Sequence, residues 1–351
     1  MPRDMTNKYL HNAKNAKNDE FYTLLTDIEK EMRHYKQHFK DKVIFCNCDD
    51  PYESNFFKFF ALSFNAIGIK KLIATCYAGS PIANTQLSLF DDESEDNKTT
   101  KVPHQLIINE LTDENNDTAE NLEDIVISLT KNKNNTLTRL KGDGDFRSQE
   151  CIELLKQSDI VVTNPPFSLF REFVSQLAEY GKKYLIIGTW NAITYKEIFK
   201  LFKENKVWLG INSNRNFSGF IVPKHYSLHG TEARIDENGN RIVSSNNTCW
   251  FTNLDVKKRY DELTLYKRYS PKEYPKYDNY DAIEVSKVVE IPMDYDGAMG
   301  VPITFLDKYN PNQFEILGLD DHRLIYPEWR GRGPDLNGKP IYRRIIIRKK
   351  G

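Results

Sequence analysis

Short apolar runs alternate with helical patterns along the chain as far as Leu209. Between Thr23 and Phe39, for example, apolar side chains recur every three or four positions, which is typical of an amphipathic helix. This alternation predicts an α/β protein with a parallel sheet covered by helices. The predicted strands are Val43–Cys46, Lys71–Tyr77, Asp159–Thr163, Tyr184–Gly188 and Val207–Leu209. The predicted helices are Thr23–Phe39, Asn55–Ile67, Ser148–Lys156, one capped by Ser168, and one opened by a capping box of Thr194 and Glu197.

Residues 78–135 interrupt this alternation. Their Pro, Ser, Asn and acidic side chains predict an exposed insert. Two apolar patches, Gln105–Asn109 and Asp124–Leu129, are expected to form a small hairpin within it.

The pattern changes again towards the end of the chain. Ala233–Val243 predicts a hairpin that turns at Asn238-Gly239. From Asp255 onward the regular alternation gives way to Tyr, Lys, Pro and short apolar runs. We therefore predict a first domain of residues 1–254, which includes the insert, and a smaller, irregular region of residues 255–351.

The composition excludes several classes of protein. Of 351 residues, 39% are hydrophobic and 28% are charged, which is enough apolar material for a folded core. The mean hydropathy is −0.62 and no run of 18 apolar residues occurs, so we expect no membrane span. Residues 1–20 lack the apolar segment of a signal peptide, and the five cysteines are an odd number. These features indicate reduced thiols and a cytoplasmic protein.

The net charge of −1 conceals two unlike parts. Residues 91–130 contain twelve acidic side chains and two lysines, a local charge of about −10, so the remainder carries about +9. This excess permits a nucleic-acid partner without requiring one. The His residues and the acidic insert show no metal-ligand spacing, and we expect no metal.

Asn164-Pro165-Pro166-Phe167 directly follows a predicted strand. An exocyclic amino nitrogen is a poor nucleophile because its lone pair is delocalised into the ring. If the Asn164 side-chain oxygen and the Pro165 carbonyl each accept an N–H, the lone pair localises and can attack a methyl group. The prolines fix the backbone, and Phe167 offers a face on which a base stacks for about 1–3 kcal/mol. Because ligands bind at the carboxyl ends of parallel strands, we predict a methyl-transfer site here; the alternative is a purely structural turn.

Other segments at the ends of predicted strands fit a site for S-adenosylmethionine. Asp49, Asp50 and Pro51 lie at the position of the first cofactor loop. Asp145 is placed to accept from the adenine amino group of the cofactor, and Phe146 to cover its ring. Phe21, Tyr22 and Thr23 resemble the segment that closes over the methionine end. Each motif is weak alone, and their common order along the chain supports the site.

Two departures concern this cofactor site. Ser54 and Phe56 stand where most methyltransferases have the Gly-x-Gly of the first loop. The second strand ends in Thr75-Cys76-Tyr77, with no acid for the ribose hydroxyls. We therefore expect Asp49, Asp50 or a distant residue to hold the ribose.

Eight segments, in order along the chain, carry a resemblance to a known family. They are NKYLHNAKNAKNDEFYT (7–23), DKVIFCNCDDPYESNFFKFF (41–60), GDGDFRS (142–148), SDIVVTNPPFSLF (158–170), SGFIVPKHY (218–226), GTEARID (230–236), YPKYDNYDAI (274–283) and MGVPITFL (299–306). The chain resembles the EcoRI-type adenine-specific DNA methyltransferases over nearly its whole length.

The resemblance implies a Rossmann-like methyltransferase fold and a site-specific enzyme of bacterial, phage or plasmid origin. S-adenosylmethionine would be the donor, S-adenosylhomocysteine the product, and N6 of a flipped adenine in duplex DNA the acceptor. By this likeness Asn164, Pro165, Pro166 and Phe167 are catalytic, and the other face of the base is expected against Trp250 or Phe251. Residues 255–351, with part of 211–245, would read the DNA. The family name suggests a GAATTC site and a cognate restriction endonuclease, and we expect a monomer.

Three alternatives stay open. An RNA adenine methyltransferase would use the same pocket, and a protein methyltransferase could grip a glutamine amide with it. A DNA-binding protein with an inactive site is the third.

One pentapeptide of the insert points to a different partner. Gln86, Leu87, Ser88, Leu89 and Phe90 look like the short motif with which bacterial proteins dock onto the replication sliding clamp. The alternative is that the three apolar side chains simply pack onto the sheet.

Overall fold

The computed structural model describes residues 22–51, 54–77, 103–111, 126, 129, 131–213, 217–222, 233–237, 239–243, 247–319 and 334–351. The chain divides into two compact units, Met1–Ala192 with Arg215–Leu254, and Ile193–Asn214 with Asp255–Gly351. Within the described residues, every helix is too short or too polar to cross a membrane.

Most of the regular structure consists of short strands. In chain order they are β1 (Tyr22–Thr23), β2 (Val43–Cys46), β3 (Lys71–Thr75), β4 (His104–Ile108), β5 (Thr136–Arg139), β6 (Ile160–Thr163), β7 (Lys183–Thr189), β8 (Trp208–Leu209), β9 (Phe220–Val222), β10 (Ala233–Ile235), β11 (Arg241–Val243), β12 (Thr248–Thr252), β13 (Ile283–Glu284), β14 (Met299–Val301), β15 (Phe314–Leu319), β16 (Asp335–Leu336), β17 (Lys339–Pro340) and β18 (Ile345–Lys349).

The helices lie between these strands. They are α1 (Leu25–Met32), α2 (Lys36–Phe39), α3 (Asn55–Leu62), α4 (Phe64–Ile67), α5 (Gln149–Gln157), α6 (Phe170–Glu179) and α7 (Lys196–Lys203). Short 3₁₀ helices span Phe167–Leu169, Trp190–Thr194, Lys257–Tyr260, Val288–Glu290 and Ile303–Lys308.

The first unit is built on a mixed sheet with the strand order β5-β4-β3-β2-β6-β7-β12. Its centre is parallel, since β2 runs parallel to β3 and β6, and β6 runs parallel to β7. All residues of β2 and β6 are buried, as expected for apolar strands covered on both faces. The predicted α/β class is confirmed, with antiparallel strands β4, β5 and β12 added to the parallel centre.

The predicted hairpin inside the insert is wrong. β4 pairs antiparallel with β3 on one side and with β5 on the other, so this part of the insert belongs to the main sheet. Val126 and Leu129, from the second apolar patch, are helical and buried. Their side chains join the core as a helix instead of pairing with β4.

The helix positions were predicted well, but three of the expected starts and breaks differ. The helix predicted from Thr23 is divided into β1, α1 and α2. The chain turns through a 3₁₀ helix after Pro166 before α6 begins, so Leu169, and not Ser168, is the N-cap residue. Thr194 ends another 3₁₀ helix and Tyr195 is the N-cap residue of α7, so Thr194 does not occupy the predicted N-cap position.

A smaller antiparallel sheet in the first unit has the order β1-β9-β11-β10. The predicted hairpin of β10 and β11 is confirmed, with Ala233 opposite Val243 and Ile235 opposite Arg241. Gly239 in its turn has a φ of +79°, a conformation that glycine adopts without strain. This sheet places β1 and β9 side by side, with Thr23 opposite Phe220.

The second unit contains a four-stranded sheet of order β13-β14-β18-β15 and the hairpin β16–β17. Helix α7, although it precedes β12 in the sequence, packs against β15. A buried polar group lies beside the sheet: Arg344 donates to Glu284 through Nη2 (2.6 Å) and Nε (3.0 Å), and Tyr277 donates to the same carboxylate (2.5 Å). Because both charges are paired, their burial is tolerated.

Candidate active site

The carboxyl ends of β2, β3 and β6 meet at one edge of the main sheet, which we call the carboxyl edge. Asn47, the first residue after β2, joins them. Thr163 at the end of β6 donates its hydroxyl to the Asn47 carbonyl, and Thr75 at the end of β3 donates to Asn47 Oδ1 (3.1 Å). These buried contacts fix the starting points of the loops that follow the three strands.

The first loop holds its shape without the glycines that most methyltransferases use. Ser54 is the N-cap residue of α3, and its hydroxyl accepts from the backbone N–H groups of Phe56 (3.1 Å) and Phe57 (3.3 Å). The same hydroxyl donates to Asp49 Oδ1 (2.7 Å). The Asp49 side chain therefore supports the cap, whereas the neighbouring Asp50 contacts Ser54 through its backbone carbonyl (2.7 Å).

The segment Asn164–Phe167 leaves the carboxyl edge at the end of β6. Pro165 and Pro166 are buried, while Asn164 and Phe167 are half-buried, and Asn164 Oδ1 is itself shielded from solvent. The predicted chemistry requires that the Asn164 amide and the Phe167 ring face the same bound base. The two prolines between them fix the backbone, and both side chains are partly exposed. The structure thus brings the four predicted catalytic residues to the predicted position.

A group of aromatic rings adjoins Phe167. Its ring lies 6.0 Å from that of Phe220 on β9, at an interplanar angle of 70°, and Phe217 lies 5.0 Å from Phe220. Phe217 is half-buried, like Phe167. The loop of Phe217 is fixed by the next residue, because Ser218 donates through its N–H and its hydroxyl to the buried carboxylate of Asp27 (2.7 Å each). The sequence analysis did not identify Phe217.

Of the buried polar atoms near the carboxyl edge that make no hydrogen bond to any of the described residues, two lie on residues that could face the amino-acid end of a cofactor. They are the Thr23 hydroxyl and the side-chain nitrogen of Asn47. Unsatisfied buried polar groups cost about 1–3 kcal/mol each, so such atoms often mark a ligand position. Thr23 belongs to the predicted closing segment, and its carbonyl accepts from Asn55 of α3 (2.8 Å). Phe21, the first residue of that segment, lies outside the described residues.

Asp145 and Phe146 occupy different surroundings. Both carboxylate oxygens of Asp145 accept from Arg147 (2.7–2.9 Å), and this pairing raises the pKa of Arg147. Asp145 still has lone pairs for a further donor. Phe146 is 2% exposed and packs 5.0 Å from Phe173 of α6. This packing favours a structural role for Phe146 over its predicted role, which was to cover the adenine ring of the cofactor.

Asp50, Cys76 and His104 form a buried cluster at the carboxyl edge. Within the described part of the chain they are the one group of three potential metal ligands, with ligand atoms within 4.8 Å of one another. His104 Nδ1 lies 3.2 Å from Cys76 Sγ, and Nε2 lies 3.6 Å from Asp50 Oδ1. Nδ1 is closest to Cys76 and Nε2 faces Asp50. This geometry fits an imidazole that links the two side chains better than one that binds a metal ion through a single nitrogen. No sequence pattern indicated this cluster, because its three residues belong to separate segments of the chain.

The predicted second face of the base-binding site is not supported. Trp250 and Phe251 are each 1% exposed, because β12 is covered on both faces. The Trp250 ring packs 5.9 Å from Phe56, and the Phe251 ring 4.9 Å from Phe170. Both are core residues. The clamp-like pentapeptide Gln86–Phe90 lies outside the described residues.

Comparisons with known proteins agree with this arrangement. The family model "Adenine-specific methyltransferase EcoRI" matches residues 9–350. The chain belongs to this family. It is 51% identical to the type II methyltransferase M.EcoRI of Escherichia coli, with 100% of this chain and 99% of the relative aligned. The type II methyltransferases M.MpnI of Mycoplasma pneumoniae and M.MgeORF184P of Mycoplasma genitalium are 42% and 37% identical, each over 97% of this chain and at least 98% of the relative. No solved structure gives a significant match.

The chain is therefore an adenine-specific type II methyltransferase of the restriction–modification kind, and its substrate is DNA. The family resemblance drawn from the eight sequence segments is confirmed. These matches argue against a protein methyltransferase, since the family model describes adenine-specific enzymes and the full-length relatives are type II methyltransferases.

Proposed function

We propose that this methyltransferase transfers the methyl group of S-adenosylmethionine to N6 of an adenine in double-stranded DNA at Asn164–Phe167. One observation carries the proposal. A hydrogen bond between Thr163 and Asn47 joins the end of β6 to the end of β2. The proposed catalytic segment and the first loop therefore begin side by side. A methyl donor held by the first loop and a base held by Asn164–Phe167 would therefore be neighbours.

The residues at the carboxyl edge fit this donor. The Thr23 hydroxyl and the Asn47 amide are polar atoms available to its amino-acid end, and the Asp50 carboxylate can accept from its ribose hydroxyls. Asp145 retains acceptor capacity for its adenine amino group. When bound, S-adenosylmethionine supplies an electrophilic methyl group, and S-adenosylhomocysteine is the product.

The acceptor is activated by hydrogen bonding. Asn164 Oδ1 and the Pro165 carbonyl each accept one N–H of the adenine amino group, so that the nitrogen becomes tetrahedral and its lone pair points away from the ring. As positive charge develops on this nitrogen, both hydrogen bonds strengthen, and the transition state is stabilised more than the ground state. After transfer the nitrogen carries a positive charge and two protons; it loses one of them to water, which leaves neutral N6-methyladenine, so no side chain with a shifted pKa is required.

The adenine must leave the DNA helix to reach Asn164. Flipping a base costs a few kcal/mol, which aromatic stacking offsets. Phe167 provides one face. We assign the second face to Phe217, since it is half-buried, belongs to the same aromatic group and is held in place by the Asp27–Ser218 contact. This assignment replaces Trp250 and Phe251.

The second unit is the proposed target-recognition region, centred on residues 255–351. Side chains of its last segment differ sharply in exposure: Arg344 is buried by Glu284, whereas Tyr342 is 87% exposed and Arg343 and Arg348 are exposed. Exposed arginines and aromatic rings are the groups that contact phosphates and bases. We therefore assign DNA contacts to Tyr342, Arg343 and Arg348.

The biological setting follows from the relatives. We propose a bacterial cytoplasmic monomer that protects DNA from a cognate restriction endonuclease, with GAATTC as its site in view of the similarity to M.EcoRI. Docking to a sliding clamp through Gln86–Phe90 remains a separate prediction.

Single-molecule sequencing of DNA from cells that express the chain tests this proposal. We expect N6-methyladenine at one adenine of a single short palindrome, and no such signal with an Asn164→Ala variant. Purified enzyme offered duplex DNA and RNA of the same sequence should methylate the DNA alone. Preferential methylation of RNA, or absence of methylation by the wild type, would overturn the proposal.

A further inference from the structure

Three buried side chains from three separate segments meet at the carboxyl edge. Asp50 follows β2, Cys76 follows β3, and His104 is the first residue of β4; they are 8%, 3% and 2% exposed. Besides its ring contacts, His104 donates its backbone N–H to Cys76 Sγ (3.3 Å), and the Cys76 N–H donates to the His104 carbonyl (3.1 Å). The start of β4 is thus joined to the end of β3 through both backbone and side chains.

The cluster faces the part of the edge assigned to the cofactor. Gly144, in the loop after β5, has a φ of +78°, and a Cβ added there would lie 2.1 Å from the Cys76 carbonyl oxygen. The backbone of the Gly-Asp-Gly-Asp loop therefore lies directly against Cys76. On the other side, the Asp50 carbonyl accepts from the Ser54 N–H at the start of α3 (2.7 Å). His104 lies between the loops that carry Asp50 and Asp145.

The charge state of His104 follows from its neighbours. Burial lowers its pKa, but the contacts with Asp50 and Cys76 outweigh that effect and raise the pKa to about 10. The charged or titratable groups on the adjoining elements are Asp50, Cys76 and Arg139, the last being its register partner on β5. The imidazole therefore places a positive charge 3.6 Å from the buried Asp50 carboxylate, which partners that carboxylate and holds it in position.

We propose that His104 is a positioning residue of the cofactor site, which holds the Asp50 carboxylate where it accepts from the ribose hydroxyls of S-adenosylmethionine. The proposal rests on the proposed function, because it assigns Asp50 to the cofactor. Carboxylates that bind ribose hydroxyls usually stand at the end of the strand after the first loop. In this chain the corresponding strand is β3, which ends in Thr75-Cys76 and has no carboxylate there. Asp50 accepts from the ribose hydroxyls instead, supported by His104 from the insert.

A binding experiment tests the pair. Isothermal titration of the full-length chain with S-adenosylmethionine compares the wild type with His104→Gln, Asp50→Asn and the double variant. We expect each single variant to bind about tenfold more weakly and the double variant to bind no worse than the weaker single one, since the two residues act together. His38→Gln, which changes a half-buried histidine on α2, should bind like the wild type. Turnover at saturating donor should change less than threefold in His104→Gln, because His104 does not touch the reacting atoms.

A second measurement reports on the wild type itself and uses His104→Gln only to assign the signal. Nitrogen NMR of the histidine rings in the wild type should show one of the seven imidazoles still protonated at pH 8.5 and absent from His104→Gln spectra. A neutral His104 at that pH, or wild-type affinity in His104→Gln, would overturn the proposal. A double variant in which the two losses of affinity for S-adenosylmethionine multiply would also overturn the proposal. If the wild type itself fails to bind S-adenosylmethionine, the proposed function fails instead.

Discussion

Replacement of Asn164 by alanine is the most direct test of the catalytic assignment. The side chain stands directly after β6 and its Oδ1 is shielded from solvent, and the buried prolines and the half-buried Phe167 follow it in the sequence. Alanine removes the acceptor without disturbing Pro165 or the Thr163–Asn47 hydrogen bond. The bound adenine would keep one of its two activating acceptors, the Pro165 carbonyl.

The size of the effect can be bounded. A hydrogen bond to a group that becomes charged is worth about 1.5–3 kcal/mol, and loss of one preorganised contact to developing charge typically lowers kcat by about 10²–10³-fold. Because Asn164 Oδ1 is shielded from water, no solvent hydrogen bond replaces it, and the upper part of this range applies. We expect kcat for Asn164→Ala to fall by about 10³-fold.

The assay measures transfer of a labelled methyl group to duplex DNA at saturating donor and DNA. Dissociation constants for both substrates should change less than threefold, since Asn164 acts mainly in the transition state. Asn312→Ala, which truncates an exposed asparagine in the second unit, serves as the matched control and should keep full activity. Turnover of folded Asn164→Ala within tenfold of wild type would refute the mechanism, and a fall in both binding constants with unchanged kcat would show a binding role instead.

Four further predictions concern other parts of the molecule. Phe217→Ala should lower the affinity for DNA that carries an extruded target base by about 10–100-fold. Trp250→Phe should leave this affinity unchanged and lower the melting temperature. An affinity of Phe217→Ala equal to that of the wild type would contradict the stacking assignment. Arg343→Ala with Arg348→Ala should weaken DNA binding and reduce its dependence on salt, and an unchanged salt dependence would contradict a phosphate contact. Leu89→Ala with Phe90→Ala should abolish micromolar binding to a purified sliding clamp, and a wild-type chain that shows no binding at tens of micromolar excludes that partner. A maleimide at pH 8 should react first with half-exposed Cys48, because burial raises the pKa of Cys46 and keeps its thiol protonated; rapid labelling of Cys46 would contradict this.

The choice of variants in the second unit follows from its structure. Truncation at Asp255 would remove β15, against which α7 packs. The apolar face of α7, which includes Ile198, Phe199 and Phe202, would then be uncovered, and loss of DNA binding could result from misfolding alone. Substitution of exposed arginines avoids this difficulty.

Local patterns predicted the features that depend on neighbours in the sequence. β2 and β6 are continuous apolar runs, and the catalytic segment follows β6 immediately, so the sequence alone placed Asn164–Phe167 correctly at a strand end. The β10–β11 hairpin was predictable for the same reason, because its turn lies between two short strands. Helix starts were less predictable, since the turn after Pro166 depends on backbone geometry that Ser168 does not reveal.

Contacts between distant residues were not predictable. Thr163 and Asn47 are 116 positions apart, and Cys76 and His104 are 28 positions apart, with no regular pattern between them. Whether Trp250 faces a ligand or the core depends on the helices that cover β12, which its sequence does not show. Likewise, Phe217 comes near Phe167 through Phe220, whose strand β9 is placed by pairing with β1 and β11.

The cap of α3 explains why cofactor recognition has to rely on side chains in this enzyme. In a glycine-rich loop, the first backbone N–H groups of the following helix are free to bind an anionic or polar ligand. Here the Ser54 hydroxyl takes the N–H groups of Phe56 and Phe57, so those donors are satisfied within the protein. The groups that we assign to the cofactor at the carboxyl edge are side chains, those of Thr23, Asn47 and Asp50. Cofactor affinity should therefore be more sensitive to single substitutions at these positions than in enzymes whose first loop binds through its backbone. It also follows that a residue as remote as His104, brought in by the insert, can influence the site through Asp50.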